Sequence, residues 1–317
     1  MYAIGVDIGG TKIAAGVVDE HGKILAQTRV STEPDDASSI DRAISEVYRE
    51  LSKEYEVGAI GLAAAGFVSP DRTSVLFAPN IAWRDYPIAD RVAALIGTDV
   101  PIVVENDANA AGWAEFRFGA GRLVTDMTML TIGTGVGGAI VTQGGLFRGG
   151  FGAGAELGHL RVVPDGLPCG CGARGCIEQY GSGRALLRMA NGIADAGGIG
   201  LALAEARALN GELNGTIVGQ LIAAGDPGAV NALQELGRWL GQACASLAAV
   251  LDPQVFVFGG GVSVAGDLLL DPIRESFLQH LPARGYHPEP GFVIAELVND
   301  AGVVGAADLA RIHAGQR

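Results

Sequence analysis

The pattern of apolar and polar positions predicts short strands and amphipathic helices in alternation. Two β-rich runs near the start are joined by a glycine turn, which is typical of an antiparallel hairpin. Later segments carry apolar residues at helical spacing, or as short continuous runs typical of buried strands. The predicted strands are Ala3–Asp7, Ile13–Val18, Lys23–Val30, Ala59–Ala65, Pro101–Glu105 and Gln254–Phe258. The predicted helices are Ser38–Lys53, Ile88–Ile96, Asn106 to about Phe118, Val230–Leu251 and Ala301–Ile312.

The opening pattern occurs again in the middle of the chain. Met127–Val141 contains an apolar strand, a glycine turn and a second apolar run. Asp7-Ile-Gly-Gly-Thr-Lys12 and Thr131-Ile-Gly-Thr-Gly135 therefore correspond in position and chemistry, as a repeat at half-chain scale. We expect two α/β domains whose hairpins face each other across a cleft. One would comprise residues 1–109 with the C-terminal helix 301–317, and the other residues 110–300, with the boundary inside a helix near Asn109.

Composition and charge narrow the possible partners. The chain has 317 residues, 49% of them hydrophobic and 18% charged, which is typical of a globular α/β protein. Its net charge of −13 argues against nucleic acid or an anionic membrane as the main partner. No apolar run is long enough to cross a bilayer, and Tyr2–Asp7 resembles a core strand rather than a secretion signal. We therefore expect a cytoplasmic location, which the small number of cysteines also fits.

Three of the four cysteines stand close together and predict a metal site. Cys169, Cys171 and Cys176 follow His159 by 10 to 17 positions, and three thiolates with one imidazole complete a tetrahedral zinc shell. The alternatives are a disulfide or reduced buried thiols. Cys169 and Cys171 are too close in sequence for an unstrained bridge, and an odd cluster leaves one cysteine unpaired. We therefore expect a structural zinc, with Cys244 an inert core residue.

Glycine turns beside strands indicate phosphate binding. Asp7-x-Gly-x-Thr-Lys12 places a carboxylate, backbone N–H groups and a lysine at a strand end, as phosphoryl transfer requires. Taken alone this motif is weak, but the turn Gly133-Thr-Gly135 strengthens it. The run Gly259-Gly-Gly261 could support an adenosine, or it could simply be a tight strand-to-helix turn.

Asp107 is the candidate general base. It lies between a predicted buried strand and a predicted helix, so it could equally be a helix N-cap. Polar neighbours, Glu105, Asn106 and Asn109, exceed what capping requires, and on the residues alone the two interpretations are even. Glu156 lies three positions before His159 in a glycine-rich segment, which favours a ligand-binding carboxylate over a solvated surface one.

Together these motifs resemble the ROK family of sugar kinases and repressors over the whole length of the chain. The matching motifs, in the family's order, are Asp7-x-Gly-Gly-Thr-Lys12, Asn106-Asp-Ala-Asn109, Glu156-x-Gly-His159 and Cys169-Gly-Cys-Gly-x-x-Gly-Cys176-x-Glu178. The resemblance is strongest to the family's bacterial glucokinases of actinobacterial type. It implies an actin-like, ribonuclease-H-like fold of two α/β domains, with the last helix packed on the first domain and ATP and sugar in the cleft.

The resemblance also implies residue roles and partners. Asp107 would be the base acting on the 6-hydroxyl of glucose. The other sugar-binding residues would be Gly66, Asn80, Asn106, Glu156, His159 and Glu178. The residues around the phosphates and Mg²⁺ would be Asp7, Gly9, Gly10, Thr11, Lys12, Thr134 and Gly135, with Gly260 and Gly261 beside the adenosine. Family members are often dimers or tetramers, so a homo-oligomer is expected.

Several alternatives remain within and outside this activity. Kinases of mannose, N-acetylmannosamine, fructose and allose share most of these motifs, and polyphosphate could replace ATP. A polymer donor would need a basic channel, of which 22 Lys and Arg against 35 Asp and Glu give no sign. The family's repressors carry a DNA-binding winged helix before the first hairpin, whereas this hairpin begins at Tyr2. A sugar-binding module without catalysis is disfavoured by the presence of Asp107 and the phosphate turns.

Overall fold

The computed structural model describes residues 1–10, 12–33 and 35–315. The chain divides into two compact units. The first contains Met1–Val124, Ala139–Ala155 and the C-terminal segment from Glu296, and the second contains Thr125–Gly138 and Glu156–Ala295. The expected boundary at residue 109 thus lies well inside the first unit.

Groups of strands and groups of helices follow one another along the chain. The strands are β1 (Tyr2–Ile8), β2 (Lys12–Val18), β3 (Ile24–Ser31), β4 (Val57–Ala64), β5 (Phe67–Val68), β6 (Val75–Phe77), β7 (Arg84–Tyr86), β8 (Ile102–Asn106), β9 (Met127–Ile132), β10 (Val136–Thr142), β11 (Gly145–Leu146), β12 (Val255–Gly259) and β13 (Gly291–Ile294). The α-helices are α1 (Ala37–Leu51), α2 (Ile88–Ile96), α3 (Asp107–Phe118), α4 (Glu178–Gly181), α5 (Gly183–Ala196), α6 (Leu201–Asn210), α7 (Gly215–Ala223), α8 (Pro227–Leu251), α9 (Asp267–His280) and α10 (Ala301–Gly315).

The first unit is built on a sheet of order β3-β2-β1-β4-β8. Strand β1 pairs antiparallel with β2 and parallel with β4, and β4 pairs parallel with β8. One face of this sheet packs in a hydrophobic core with α1 and α2 that includes Ile4, Ile44 and Trp83, all fully buried. Because the parallel strands end at one edge, the carboxyl ends of β1, β4 and β8 bring Asp7, Ala64 and Asn106 to that edge of the sheet.

Helix α10 covers the other face of this sheet at very short range. A Cβ on Gly5 would lie 1.8 Å from the Val303 carbonyl oxygen, and one on Gly61 would lie 1.9 Å from that of Ala306. Only glycine on the strands permits this approach of helix backbone to sheet backbone. Helix α3 packs against α10 in the same layer, with Ala114 buried among the α10 residues. This packing explains why α3 remains whole within the first unit rather than marking a boundary.

The second main sheet has the order β11-β10-β9-β12-β13. Strand β12 pairs parallel with both β9 and β13, just as β4 pairs with β1 and β8. A hairpin followed by added parallel strands thus occurs in both sheets, which confirms the half-chain repeat. Helices α8 and α9 pack together through glycines of α8, since a Cβ on Gly241 would lie 2.4 Å from the Ile273 carbonyl oxygen.

The first unit also contains a small third sheet. Strands β5, β6 and β7 pair antiparallel in the order β5-β6-β7, in a segment between the predicted strand Ala59–Ala65 and the predicted helix Ile88–Ile96 for which the sequence pattern predicts no strand. Across the described ranges, no helix is both long and apolar enough to cross a membrane.

Candidate active site and metal centre

Asn106, not Asp107, caps the helix that follows β8. The Asn106 side-chain oxygen accepts a hydrogen bond from the Asn109 N–H at 3.0 Å, and its backbone is extended, as expected for an N-cap. The Asn106 amide group also donates to the Gly66 carbonyl oxygen at 3.2 Å. Asp107 is the first helical residue, so its carboxylate is not required as the N-cap. The structure therefore decides against the capping interpretation of Asp107.

The carboxyl group of Asp107 holds its proton more readily in the folded protein than it would in water. Burial raises the pKa of Asp107 above its usual range, and the hydrogen bond from the Ala108 N–H at 2.9 Å opposes this shift only in part. The pKa of Asp7 is raised to about 6. Burial is the largest cause and repulsion by the Asp107 carboxylate adds to it, whereas attraction by Lys12 lowers the pKa. Two interacting carboxylates with raised pKa values are typical of a functional site.

The first hairpin turn lies beside the segment that carries Asn80. The Gly9 N–H donates to the Lys12 carbonyl oxygen at 3.0 Å and closes the turn between β1 and β2. A Cβ on Gly10 would lie 3.5 Å from the Asn80 carbonyl oxygen, so these two backbones are adjacent. The structure therefore places Asp7, Gly9, Gly10 and Lys12 close together at this turn. Thr11, which the sequence also assigns to this turn, lies outside the described residues.

In the second unit, Glu178 lies against the second glycine turn. Its carboxylate accepts a hydrogen bond from the Val136 N–H at 3.3 Å, directly after the turn that contains Thr134 and Gly135. A Cβ on Gly135 would lie 2.3 Å from the same carboxylate, so the site requires glycine or a displaced Glu178. Arg184 joins the two groups, because its guanidinium donates to the Thr134 carbonyl oxygen and to Glu178, both at 3.1 Å.

The third glycine run follows β12, as the sequence predicts. Gly260 has φ of +84° and opens a single-turn 3₁₀ helix over Gly261–Ala265. Its carbonyl oxygen accepts a hydrogen bond from the Ser263 hydroxyl at 2.7 Å. A Cβ on Gly261 would meet no atom within 4 Å, which leaves open space beside this backbone. Backbone of this kind can lie flat against a planar ligand.

The three cysteines and the histidine converge on one point. The ligand atoms of His159, Cys169, Cys171 and Cys176 all lie within 4.8 Å of one another. Cys169 Sγ is 3.7 Å from His159 Nδ1, and Cys171 Sγ is 3.7 Å from Cys176 Sγ. A tetrahedron with zinc–sulfur bonds of about 2.3 Å has edges of about 3.8 Å, so the donor set and its spacing fit Zn²⁺.

The geometry of the cysteine loop links this cluster to the candidate sugar residues. The His159 N–H donates to the Glu156 carbonyl oxygen at 3.0 Å in a single 3₁₀ turn, and both side chains are exposed. Since Nδ1 of His159 faces the thiols, Nε2 is the nitrogen available to a ligand. Glu178 begins α4 two residues after Cys176. Burial raises the pKa of the Cys176 thiol to about 12, so metal binding at neutral pH releases a proton.

Two arginines of these sites were not predicted from the sequence. Arg184 contacts Glu178, and Arg148 contacts the buried carboxylate of Glu105. Neither arginine belongs to a recognisable motif. Arg148 lies 43 positions from Glu105, and Arg184, which is only 6 positions from Glu178, also contacts Thr134, 50 positions away. A buried glutamate directly before Asn106 is the one signal in the sequence that implies a basic partner, since buried carboxylates are almost always paired.

Comparison with known proteins places the chain in a family. The family model described as ROK family matches residues 3–313. A glucokinase of Streptomyces coelicolor is 47% identical over 312 residues, covering 97% of each chain. A crystal structure of a ROK family glucokinase from Streptomyces griseus, in complex with glucose and AMPPNP, shares 49% identity and a TM-score of 0.86, covering 98% of this chain and 100% of that one. A ROK hexokinase from Thermus thermophilus is 35% identical with a TM-score of 0.81, covering all of both chains.

The paired hairpin-led sheets and these similarities define a two-domain α/β protein of the actin-like class, which confirms the predicted fold. The chain belongs to the ROK family.

Proposed function

We propose that this protein is a glucokinase, which transfers the γ-phosphoryl group of ATP to the 6-hydroxyl of glucose. The observation that carries this proposal concerns Asp107. Its carboxylate is partly buried, has a raised pKa and does not cap its helix. The family membership and the similarity to glucokinases over nearly the whole chain support the same reaction.

In the proposed mechanism, the chain mainly positions the partners and handles one proton. Asp107 accepts the proton of the 6-hydroxyl as that oxygen attacks the γ-phosphorus and the bond to ADP breaks. The sugar is held by Gly66, Asn80, Asn106, Glu156, His159 and Glu178. The phosphates are held by Asp7, Gly9, Gly10, Thr11, Lys12, Thr134 and Gly135, and the adenosine lies on Gly260 and Gly261.

Two metal ions complete this proposal. Magnesium, bound with the nucleotide near Asp7, would neutralise charge on the phosphates, and a cation there would relieve the repulsion between Asp7 and Asp107. Zinc would be held by His159, Cys169, Cys171 and Cys176 as a structural ion, since four protein ligands leave no position for water or phosphate. We also propose that the protein is cytoplasmic and that it forms a homo-oligomer. Light scattering of the purified protein would test the oligomeric state.

The reaction is tested by measuring ADP release with a panel of sugars against ATP and polyphosphate. We expect ATP-dependent phosphorylation of glucose, because a chain with 35 acidic and 22 basic residues is poorly suited to a polyanionic donor. Turnover that requires polyphosphate would reject ATP as the donor. The absence of turnover with every sugar would reject the kinase proposal and favour a sugar-sensing role.

Among the sugars, glucose is expected to give a higher kcat/KM than mannose or 2-acetamido sugars. Glu156, Glu178, His159 and two asparagines form a dense set of polar groups, and such a site rejects a sugar that leaves any of them unpaired. The measurement is kcat/KM for each sugar at saturating ATP. A higher kcat/KM for mannose or N-acetylmannosamine would contradict the glucose assignment and leave the kinase assignment intact.

As the pH is lowered, the activity should be lost at a higher pH than is usual for a catalytic carboxylate. Asp107 works as a base only when ionised, and the raised pKa values of Asp107 and Asp7 mean that protonation occurs at higher pH than normal. We expect kcat/KM to fall as the pH decreases through about 6, the pKa of Asp7. The measurement is a kcat/KM profile between about pH 4 and 9, with circular dichroism as the check on folding. Full activity down to the ordinary carboxyl range would contradict it.

A further inference from the structure

Glu105 is a buried carboxylate at the end of β8 that contacts the residues on both sides of Asp107. Its side chain is 2% exposed. One carboxylate oxygen accepts hydrogen bonds from the Asn106 N–H at 3.0 Å and from the Asn109 side-chain amide at 3.1 Å. The position of this carboxylate thus determines where the Asn106–Asn109 segment, and with it Asp107, is held.

Arg148 is the principal cation that balances this charge. Its Nε lies 2.9 Å from one carboxylate oxygen of Glu105 and 3.2 Å from the other, and its side chain is 11% exposed. The two terminal nitrogens of the same guanidinium donate to the Pro70 and Ser69 carbonyl oxygens, at 3.0 and 3.1 Å. Arg72 is a second cation, more distant, with its Nε 3.5 Å from Glu105.

Arg148 therefore joins three segments of the first unit. These are the strand end that precedes Asp107, the turn at Ser69 and Pro70, and the glycine-rich stretch 149–155 that begins directly after Arg148. A planar guanidinium can bond the Glu105 carboxylate and the carbonyl oxygens of Ser69 and Pro70 at once, which a lysine ammonium cannot do in the same fixed geometry. Removing Arg148 would leave much of the Glu105 charge unbalanced, and an uncompensated buried charge destabilises the structure around it.

We propose that Glu105 and Arg148 are positioning residues for phosphoryl transfer, which hold the Asp107 carboxylate in the orientation that accepts the hydroxyl proton. This inference rests on the proposed function. It assigns a role to two residues that are not among the proposed sugar and nucleotide ligands and that act through Asn106 and Asn109. A displacement of about 1 Å at a catalytic group can cost about 100-fold in rate.

The first unit also offers a matched control pair. Asp41 is a carboxylate that is 1% exposed, and it accepts hydrogen bonds from Arg91 at 2.7 Å and from the Tyr86 hydroxyl at 2.6 Å. This pair joins α1 to α2 and its neighbouring strand, and none of its members is a predicted site residue. Arg91→Gln therefore removes a cation from a buried carboxylate without touching the Asp107 segment.

The test compares five variants of the full-length protein. They are Arg148→Gln, Arg148→Lys, Glu105→Gln, the double variant with Glu105→Gln and Arg148→Gln, and the control Arg91→Gln. We expect Arg148→Gln to lower kcat by about 10- to 100-fold with the KM for ATP within about twofold, and Arg148→Lys to recover part of the loss. The double variant should be no slower than the slower single variant, because the two residues act as one unit. Arg91→Gln should lower the melting temperature with kcat within about twofold of wild type.

Amide hydrogen exchange supplies a readout that does not depend on activity. The peptide covering residues 102–112 should exchange faster in Arg148→Gln than in Arg91→Gln, since the Asn106 and Asn109 hydrogen bonds depend on Glu105. A folded Arg148→Gln with kcat within twofold of wild type, or equal losses of kcat in Arg148→Gln and Arg91→Gln, would overturn the proposal. If Arg148→Gln does not fold, Arg148→Lys decides on the same criteria. A wild-type protein without kinase activity would reject the proposed function instead, and unchanged exchange in these variants would still reject the positioning role.

Discussion

Asp107→Asn is expected to lower kcat by about 10²- to 10⁴-fold while the fold and sugar binding remain largely intact, as is typical for loss of a general base. Asparagine keeps the shape of the side chain and can still accept the hydrogen bond from the Ala108 N–H. It cannot accept the proton of an attacking hydroxyl. Because Asn106 is the helix cap, the substitution should cost little stability. The measurement is kcat at saturating glucose and ATP, with glucose binding followed by calorimetry.

Asp226→Asn is the matched control for this substitution. Asp226 caps α8 by accepting a hydrogen bond from the Ala229 N–H at 2.8 Å, and asparagine is an equally good N-cap. The control thus removes the same charge at a helix start that contains no predicted site residue, and its kcat should match wild type. Turnover of Asp107→Asn within a few-fold of wild type would show that Asp107 is not the base.

Cys171→Ser is expected to lower the zinc content, reduce the melting temperature and raise the sugar KM well beyond any change in the ATP KM. His159 belongs both to the metal cluster and to the proposed sugar site, and Glu178 follows Cys176 by two positions. Loss of the metal frees the imidazole to rotate and loosens the segment that carries Glu178. Changes of this kind around a metal typically alter function by about 10- to 100-fold.

Cys244→Ser separates the loss of metal from the loss of a thiol. Cys244 is fully buried in α8 and does not belong to the cluster, so this variant should keep its zinc and its sugar KM even if it melts earlier. Metal analysis and both KM values are measured for each variant. Equal weakening of sugar and nucleotide in Cys171→Ser would show a metal that only supports the fold, and purified wild-type protein without zinc would remove the zinc assignment.

Periodicity and local motifs were sufficient to predict much of this structure. The helix α2 occupies its predicted bounds, and the hairpin at Asp7 and its repeat at residues 127–142 occur as expected. The cluster of His159 with Cys169, Cys171 and Cys176, which could hold a metal ion, could be predicted because these residues lie within a short stretch of chain. These features depend on neighbours in sequence, which is the information that a single chain displays directly.

The features that escaped prediction depend on distant contacts. Strands β5, β6 and β7 are two or three residues long and too short to show a periodicity. The unit boundary at Val124 depends on the packing of α3 against α10, which is made possible by Gly305, whose Cβ would lie 1.8 Å from the Ala110 carbonyl oxygen. The partnership of Arg148 with Glu105 likewise joins residues 43 positions apart. None of these contacts leaves a local pattern in the sequence.

The most direct test of the account compares glucose with 6-deoxyglucose as acceptors, in the presence of Mg²⁺ and ATP. The two sugars differ only in the hydroxyl that Asp107 is proposed to deprotonate. We predict one ADP and one glucose 6-phosphate per glucose consumed, and no sugar-dependent ADP formation with 6-deoxyglucose. The formation of ADP at similar rates with both sugars, or of a glucose phosphate modified at another position, would contradict the account.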